Sequence, residues 1–294
     1  MILSRCIYIV LPVHNRLEIT KQFIRCIKKQ TYTNFHLVLL DDGSTEDVGR
    51  MARAELGKNR LTVIIGTGNW WWGGALDYAF KWLGKQQLPK NDVVFICNND
   101  VLFGEHLFQS AIDNMESGKF LFVKNIFLLD GEPNGMEDTG FVYNWKKLKL
   151  RAVPTNQANV ISTRGLFSYV DTFLSTPGFY PNRYRHYLSD YAFTMLAHQQ
   201  GIRFKGAKSM FLYVLAEQTK NQGLQYKVPF KEFHQQLFSG GYGPHDVPTM
   251  FRFIMHICRP KYLIPLALMR FFVYTIAKYV YFVGYKFRKQ IVKS

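Results

Sequence analysis

The sequence predicts an α/β fold in which a mostly parallel sheet is flanked by helices and followed by a helical, basic C-terminal extension. Three observations predict it. Short apolar runs alternate with amphipathic stretches through the first half, those runs are continuous rather than every-other-residue, and acidic residues end at Asp246 while cations go on. Continuous apolar runs mark strands covered on both faces, as in a parallel sheet between helices.

CIYIVLP (6–12) reads as the first buried strand, and LEITKQFIRCIKKQ (17–30) as a helix with apolar positions three and four apart. FHLVLLD (35–41) reads as a strand, EDVGRMARAEL (46–56) as a helix and LTVIIG (61–66) as a strand. GGALDYAFKWLG (73–84) follows as a helix and DVVFICN (92–98) as a fourth strand. Beyond these the pattern loosens. FLFVKNIFLL and FVY read as strands separated by the loop DGEPNGMED, and HYLSDYAFTMLAHQQG (186–201) as a helix ending at Gly201. IRF and AKSMFLYVLA read as two more strands, and from 228 the chain is mostly helical and aromatic.

Composition narrows the class. A chain of 294 residues, 48% hydrophobic and 16% aromatic, buries a sizeable core and is not a disordered chain. Cys6, Cys26, Cys97 and Cys258 have neither zinc nor redox spacing, so reduced thiols in a cytoplasmic setting are expected. Residues 1–5 lead straight into the first strand, and no secretory leader is expected. The net charge is +16, and more than half of the excess lies beyond Asp246. That is a basic tail rather than a basic domain, and with no recognised binding motif no nucleic-acid partner is expected.

In such sheets ligands bind beyond the carboxyl ends of the strands. Those ends carry Pro12-Val13-His14-Asn15, Asp41-Asp42-Gly43-Ser44, Gly66-Thr67-Gly68-Asn69 and Asn98-Asn99-Asp100. Asp41-Asp42-Gly43-Ser44 alone is compatible with a plain turn, but three other polar strand ends favour a ligand edge. Three consecutive tryptophans, Trp70 to Trp72, cannot all face one core, so at least one is expected to line a cleft. Gly73-Gly74 would let backbone approach a ligand at a helix N-terminus, where amides favour phosphate. Asn98-Asn99-Asp100 reads either as a cap for a helix beginning near Gly104 or as an oxygen-rich corner for Mg2+ or Mn2+. Asp190 reads either as helix-dipole decoration or as a base beside a cleft. His245, in the glycine-rich GGYGPHD, is a candidate metal ligand on a loop able to close over a site.

Taken in order, LPVHNR, LLDDGSTED, GNWWWGGALDYA, FICNND and PGFY…HYLSDYAF…HQQGIRF resemble the family-2 inverting glycosyltransferases with a GT-A fold. The likeness is strongest to rhamnosyltransferase-like enzymes of bacterial surface polysaccharide and covers about residues 5–215. The resemblance implies that Pro12, His14 and Asn15 border the nucleotide and that Asp41 and Asp42 contact base and ribose. It places Asn69, Trp72, Gly73 and Gly74 beneath diphosphate and sugar, and Asn98 and Asn99 beside the donor. Asp100 would be the retained acid of the metal-binding DXD motif, and Asp190 the base that activates an acceptor hydroxyl. Asn98 replaces the first acid of DXD, and Ser189 replaces the acid that often precedes the base. Mg2+ or Mn2+, a nucleoside-diphosphate sugar and a saccharide or lipid-linked acceptor are the implied cofactor and partners. The expected division is a catalytic domain over 1–225 and a helical region over 226–294. A silent nucleotide-sugar-binding or membrane scaffold protein is the alternative.

The run YLIPLALMRFFVYTIAKYVYFVG (262–284) is interrupted by Arg270 and Lys278, so an uninterrupted membrane span is not expected. With the later cations these fall on about half of a helical wheel. Such a helix suits either an anionic membrane surface or packing against the domain, and places the protein at the inner face of the cell membrane.

Overall fold

The structure, a computed structural model, describes residues 5–128, 136–137, 140–215, 224–241, 243 and 245–291. The first half runs β1 (Ile7–Val13), α1 (Leu17–Lys28), β2 (Phe35–Asp41), α2 (Val48–Leu56), β3 (Leu61–Ile65), α3 (Trp71–Lys85) and β4 (Val93–Ile96). Strands β2, β1 and β4 are buried almost throughout, because alternate side chains feed two cores. Ile7, Ile9 and Leu11 join Phe23, Ile24 and Ile27 of α1 and Val48 and Ala52 of α2 on one face. Val10, Val38, Val94 and Ile96 meet Ala75, Leu76, Ala79 and Leu83 of α3 on the other. Each such large side chain, once buried, contributes about 1.5–3 kcal/mol, which is why the strands read as unbroken apolar runs.

The chain continues through β5 (Val101–Leu102), α4 (Leu107–Asn114), β6 (Lys119–Leu128), β7 (Met136–Glu137), β8 (Gly140–Asn144), β9 (Lys149–Val153) and β10 (Leu166–Tyr169). It then forms α5 (Val170–Leu174), α6 (Ser189–Gln199), β11 (Arg203–Val214), α7 (Phe230–Leu237), α8 (Val247–Ile257) and α9 (Ile264–Ile291). Among the described residues the main sheet orders β3-β2-β1-β4-β10-β6-β11-β5, with β7 beside β6 and β8–β9 apart. The pairs β1–β2, β2–β3, β1–β4 and β6–β11 are parallel. Antiparallel β10 sits between β4 and β6, locked by Phe95 stacked on Phe167 with ring centroids 4.1 Å apart.

Several elements differ from expectation. Asn98-Asn99-Asp100 is followed by the short strand β5, and α4 begins only at Leu107. IRF and AKSMFLYVLA form one strand, β11, bent by a register shift between Ala207 and Phe211. Part of DGEPNGMED, Met136–Glu137, pairs with β6, and most of that loop lies outside the described residues. The helix expected over 186–201 starts at Ser189, because Leu188 takes a left-handed conformation (φ 64°) ahead of it.

Past residue 225 the described chain is helical, but α8 and α9 do not stand apart from the body. Phe253, Ile254, Ile257, Ala267 and Phe271 share a buried cluster with Tyr184 and with Ala192 and Met195 of α6. Helix α8 is capped by Asp246, which accepts the Thr249 amide at 2.9 Å.

Candidate active site

The ends of β1, β2 and β4 and the start of α3 enclose a cleft of about 420 Å³. Its walls include Pro12, His14, Asp42, Trp72, Asn98 and Asn99, together with Trp71, His186 and Arg16, of which Arg16 carried no expected role. A larger hollow, about 610 Å³, opens on the far side of the β2 end against α2, and contains neither tryptophan nor Asn98. The larger hollow carries Asp41, Glu46, Asp47, Arg50 and Arg53, but the smaller cleft is the one to which all four polar strand ends contribute.

Asp41 and Asp42 divide between these two spaces. Adjacent strand residues point to opposite faces, and accordingly Asp41 lines the larger hollow while Asp42 lines the cleft. Asp41 Oδ1 accepts the Ser44 amide at 2.9 Å, closing the turn. Asp42 organises the tryptophan loop. Its Oδ1 accepts the Gly68 amide at 2.8 Å, and its Oδ2 accepts those of Trp70 and Trp71 at 2.8 and 2.9 Å. The His14 ring donates from Nδ1 to the Asp42 carbonyl at 2.8 Å, which leaves Nε2 as the acceptor. Asn15 does not line the cleft. Its Oδ1 accepts the Thr45 amide and hydroxyl at 2.8 and 3.1 Å, and so fastens the β1 corner to the β2 corner.

Of the tryptophans, Trp71 and Trp72 line the cleft and Trp70 stacks on Tyr78 with centroids 4.6 Å apart. Asn69 is exposed and is not among the lining residues. Gly73 faces protein rather than open cleft. Its amide donates to the Arg185 carbonyl at 2.9 Å, and an added Cβ would lie 2.3 Å from the Tyr184 carbonyl oxygen. Gly74 packs beside Trp70 and Pro181. Glycine at 73 thus lets the wall formed by 184–189 close on α3. Gly73→Ala is expected to destabilise the chain by about 1–3 kcal/mol, because backbone lies on both sides of the clash; unchanged thermal unfolding would refute this.

The β4 end is tied down unevenly. Asn99 donates to Thr20 Oγ1 of α1 at 3.0 Å, while Asn98 is partly exposed in the cleft. Asp100 Oδ2 lies 3.8 Å from Arg16 Nη1, and its Oδ1 is buried with no partner. Among the described residues no three His, Cys, Asp or Glu side chains converge on one point. A divalent cation here would rest on Asp100 and Asn98 with ligand oxygens completing the shell, and the unpartnered Oδ1 fits that use. His245 lies elsewhere, next to the Asp246 cap of α8, and does not line the cleft.

Asp190 stands at the second position of α6. Burial pushes its carboxyl above the usual range, against backbone amides of Asp190, Thr163 and Tyr191 and the Arg164 guanidinium, which act to lower it. Arg164 also acts on Cys97 beside Asn98, so Asp190 and the β4 end share one field. His186, on the same segment, has a buried Nδ1 without a partner and a pKa lowered by burial, and its ring meets Trp71 edge-on at 5.5 Å. Non-glycine residues with left-handed backbone gather here: Asn15, Arg16, Trp71 and Leu188, at φ 54° to 64°. Each costs on the order of 1–3 kcal/mol, and such strain concentrates at functional sites.

Fold and strand-end cleft together define an α/β protein of the GT-A type. Residues 8–169 match the model of glycosyl transferase family 2, and the chain belongs to that family. An uncharacterized glycosyltransferase of Rickettsia bellii is 36% identical over 114 residues, 39% of this chain and 16% of that protein. The matched part spans well under half the length of the curated relatives. Among solved structures, GalNAc-T7 with UDP, GalNAc and Mn2+ superposes with a TM-score of 0.60 at 10% identity, over 81% of this chain and 48% of that one. The mannosyltransferase PcManGT from Pyrobaculum calidifontis with GDP-Man and Mn2+ gives 0.54 at 13%, over 91% and 74%. At such identities the likeness establishes the fold alone.

Proposed function

We propose that the chain transfers a sugar from a nucleoside-diphosphate donor to a hydroxyl acceptor with inversion, in bacterial surface-polysaccharide synthesis such as O-antigen or capsule. The observation that carries this is the place of Asp190, half-buried at the start of α6 on the segment whose His186 lines the strand-end cleft, with a carboxyl that desolvation holds above the usual range. Asp190 takes the proton of the acceptor hydroxyl as that oxygen attacks the anomeric carbon. The bond from that carbon to the diphosphate breaks, and the charge departs on the nucleoside diphosphate. Mg2+ or Mn2+, held by Asp100 and Asn98, would offset that charge, and Arg16 in the cleft wall adds a fixed positive group. The Mn2+ named with two similar structures supports the choice of cation. A saccharide or lipid-linked saccharide is the acceptor, and the inner face of the cell membrane the place of action, a placement supported by α9.

The test is release of nucleoside diphosphate from a panel of UDP-, GDP- and dTDP-sugars with Mg2+ or Mn2+ and with chelator. Cation-dependent release from one donor supports the reading; binding without release under any acceptor supports a silent relative. Asp100→Ala is expected to lower release at least about 10-fold and to flatten the cation titration, an effect of the size of losing one charged ligand. An unchanged titration would remove Asp100 from the cation site.

A further inference from the structure

Helix α9 turns an apolar face outward and its cations inward. Met269, Phe272, Val273, Ile276, Val280 and Val283 share one side at helical spacing and are 47–66% exposed. On the opposite side Ala267, Phe271 and Phe282 are buried. Arg270, Lys278 and Lys286 are all partly buried. Arg270 donates to the Lys146 carbonyl, and Lys286 Nζ lies 5.4 Å from the Phe282 ring centroid. A helix on the surface of a water-soluble body has the reverse arrangement. The apolar face continues onto exposed Phe251 and Met255 of α8 and exposed Tyr262. Exposed Arg252, Arg259 and Lys261 lie at this end, and no carboxylate occurs after Asp246.

We propose that this face is embedded in the surface of a phospholipid bilayer containing anionic lipid, with α9 lying in the membrane plane. By length and composition the segment Lys261–Lys286 could cross a membrane. The packing opposes crossing: Phe271 joins the α6–α8 cluster near one end, and Phe282 stacks on Phe233 of α7 at 4.3 Å near the other. A helix held to the body at both ends lies along the bilayer. Burial of the apolar side chains supplies the hold, and exposed Arg252, Arg259 and Lys261 add attraction to anionic headgroups. This refines the membrane placement above and does not depend on sugar transfer.

The experiment is flotation of the full chain with phosphatidylcholine–phosphatidylglycerol vesicles, followed by a wash in about 1 M salt, where charges are screened beyond about 3 Å. The chain is expected to stay bound through the wash, and Val273→Glu with Val280→Glu to lower bound protein at least about 10-fold, since charges at an apolar interface are costly. Both positions are exposed, so an unchanged melting curve shows that the variant is folded. Complete release by salt, or equal flotation of the folded variant, overturns the proposal. A chain that ignores vesicles but forms a dimer broken by the two substitutions also overturns it, and makes the face a contact between copies.

Discussion

Asp190→Asn is expected to lower sugar transfer by about 100-fold or more, the usual weight of a positioned general base, while nucleoside-diphosphate binding persists. The substitution keeps the shape at the start of α6 and removes the proton acceptor. The wild-type rate is expected to rise with pH through a value above the ordinary carboxylate range, because burial holds the Asp190 carboxyl up. Stability carries the same signature with opposite benefit. A carboxyl whose folded-state pKa is raised binds its proton more tightly folded than unfolded, so its stabilising contribution is full below the unfolded pKa. That contribution is lost as pH rises through the folded value. Melting temperatures of wild type and Asp190→Asn, compared from acid to neutral pH, should therefore show wild type losing ground. Normal turnover by the variant would end the assignment of Asp190 as base, and parallel melting profiles would contradict the raised pKa.

Asp42→Asn is the second large effect. Three backbone amides converge on the Asp42 carboxylate, and an amide side chain must set its own NH2 against at least one of them. A donor left without an acceptor costs about 1–3 kcal/mol, and Asp42→Ala, which strands all three amides, is expected to cost more. Urea unfolding reads this directly. The loop that loosens carries Trp71 and Trp72, so affinity for nucleoside diphosphates, followed by tryptophan fluorescence, should fall with stability. If both variants unfold like wild type, water replaces the carboxylate easily and the loop has another support.

The central strands were legible because both of their faces are buried, and a run such as HLVLL has no other economical use. Strand β10 was not: LFSY is a short run, and its antiparallel place between β4 and β6 follows from contacts such as Phe95 on Phe167. At the site, the motifs named Pro12, His14, Asp42, Trp72, Asn98 and Asn99, and all six line the cleft. The division of Asp41 from Asp42 was available in the two-residue period of a strand. Arg16 and Leu188 were not readable as left-handed, since local sequence disfavours that backbone and tertiary packing imposes it. Arg164 carried no motif, and its influence on Asp190 arises only when the turn before β10 meets α6.

Tyr184 gives the wall that bears Asp190 its mechanical character. The side chain is fully buried, its hydroxyl meets His256 Nδ1 of α8 at 3.0 Å, and the carbonyl of the next residue takes the Gly73 amide of α3. The adjacent residues 184 and 185 thus fasten this wall to α8 and to α3 at once, and α6 starts four residues further on, so the place of Asp190 is set from outside its own helix.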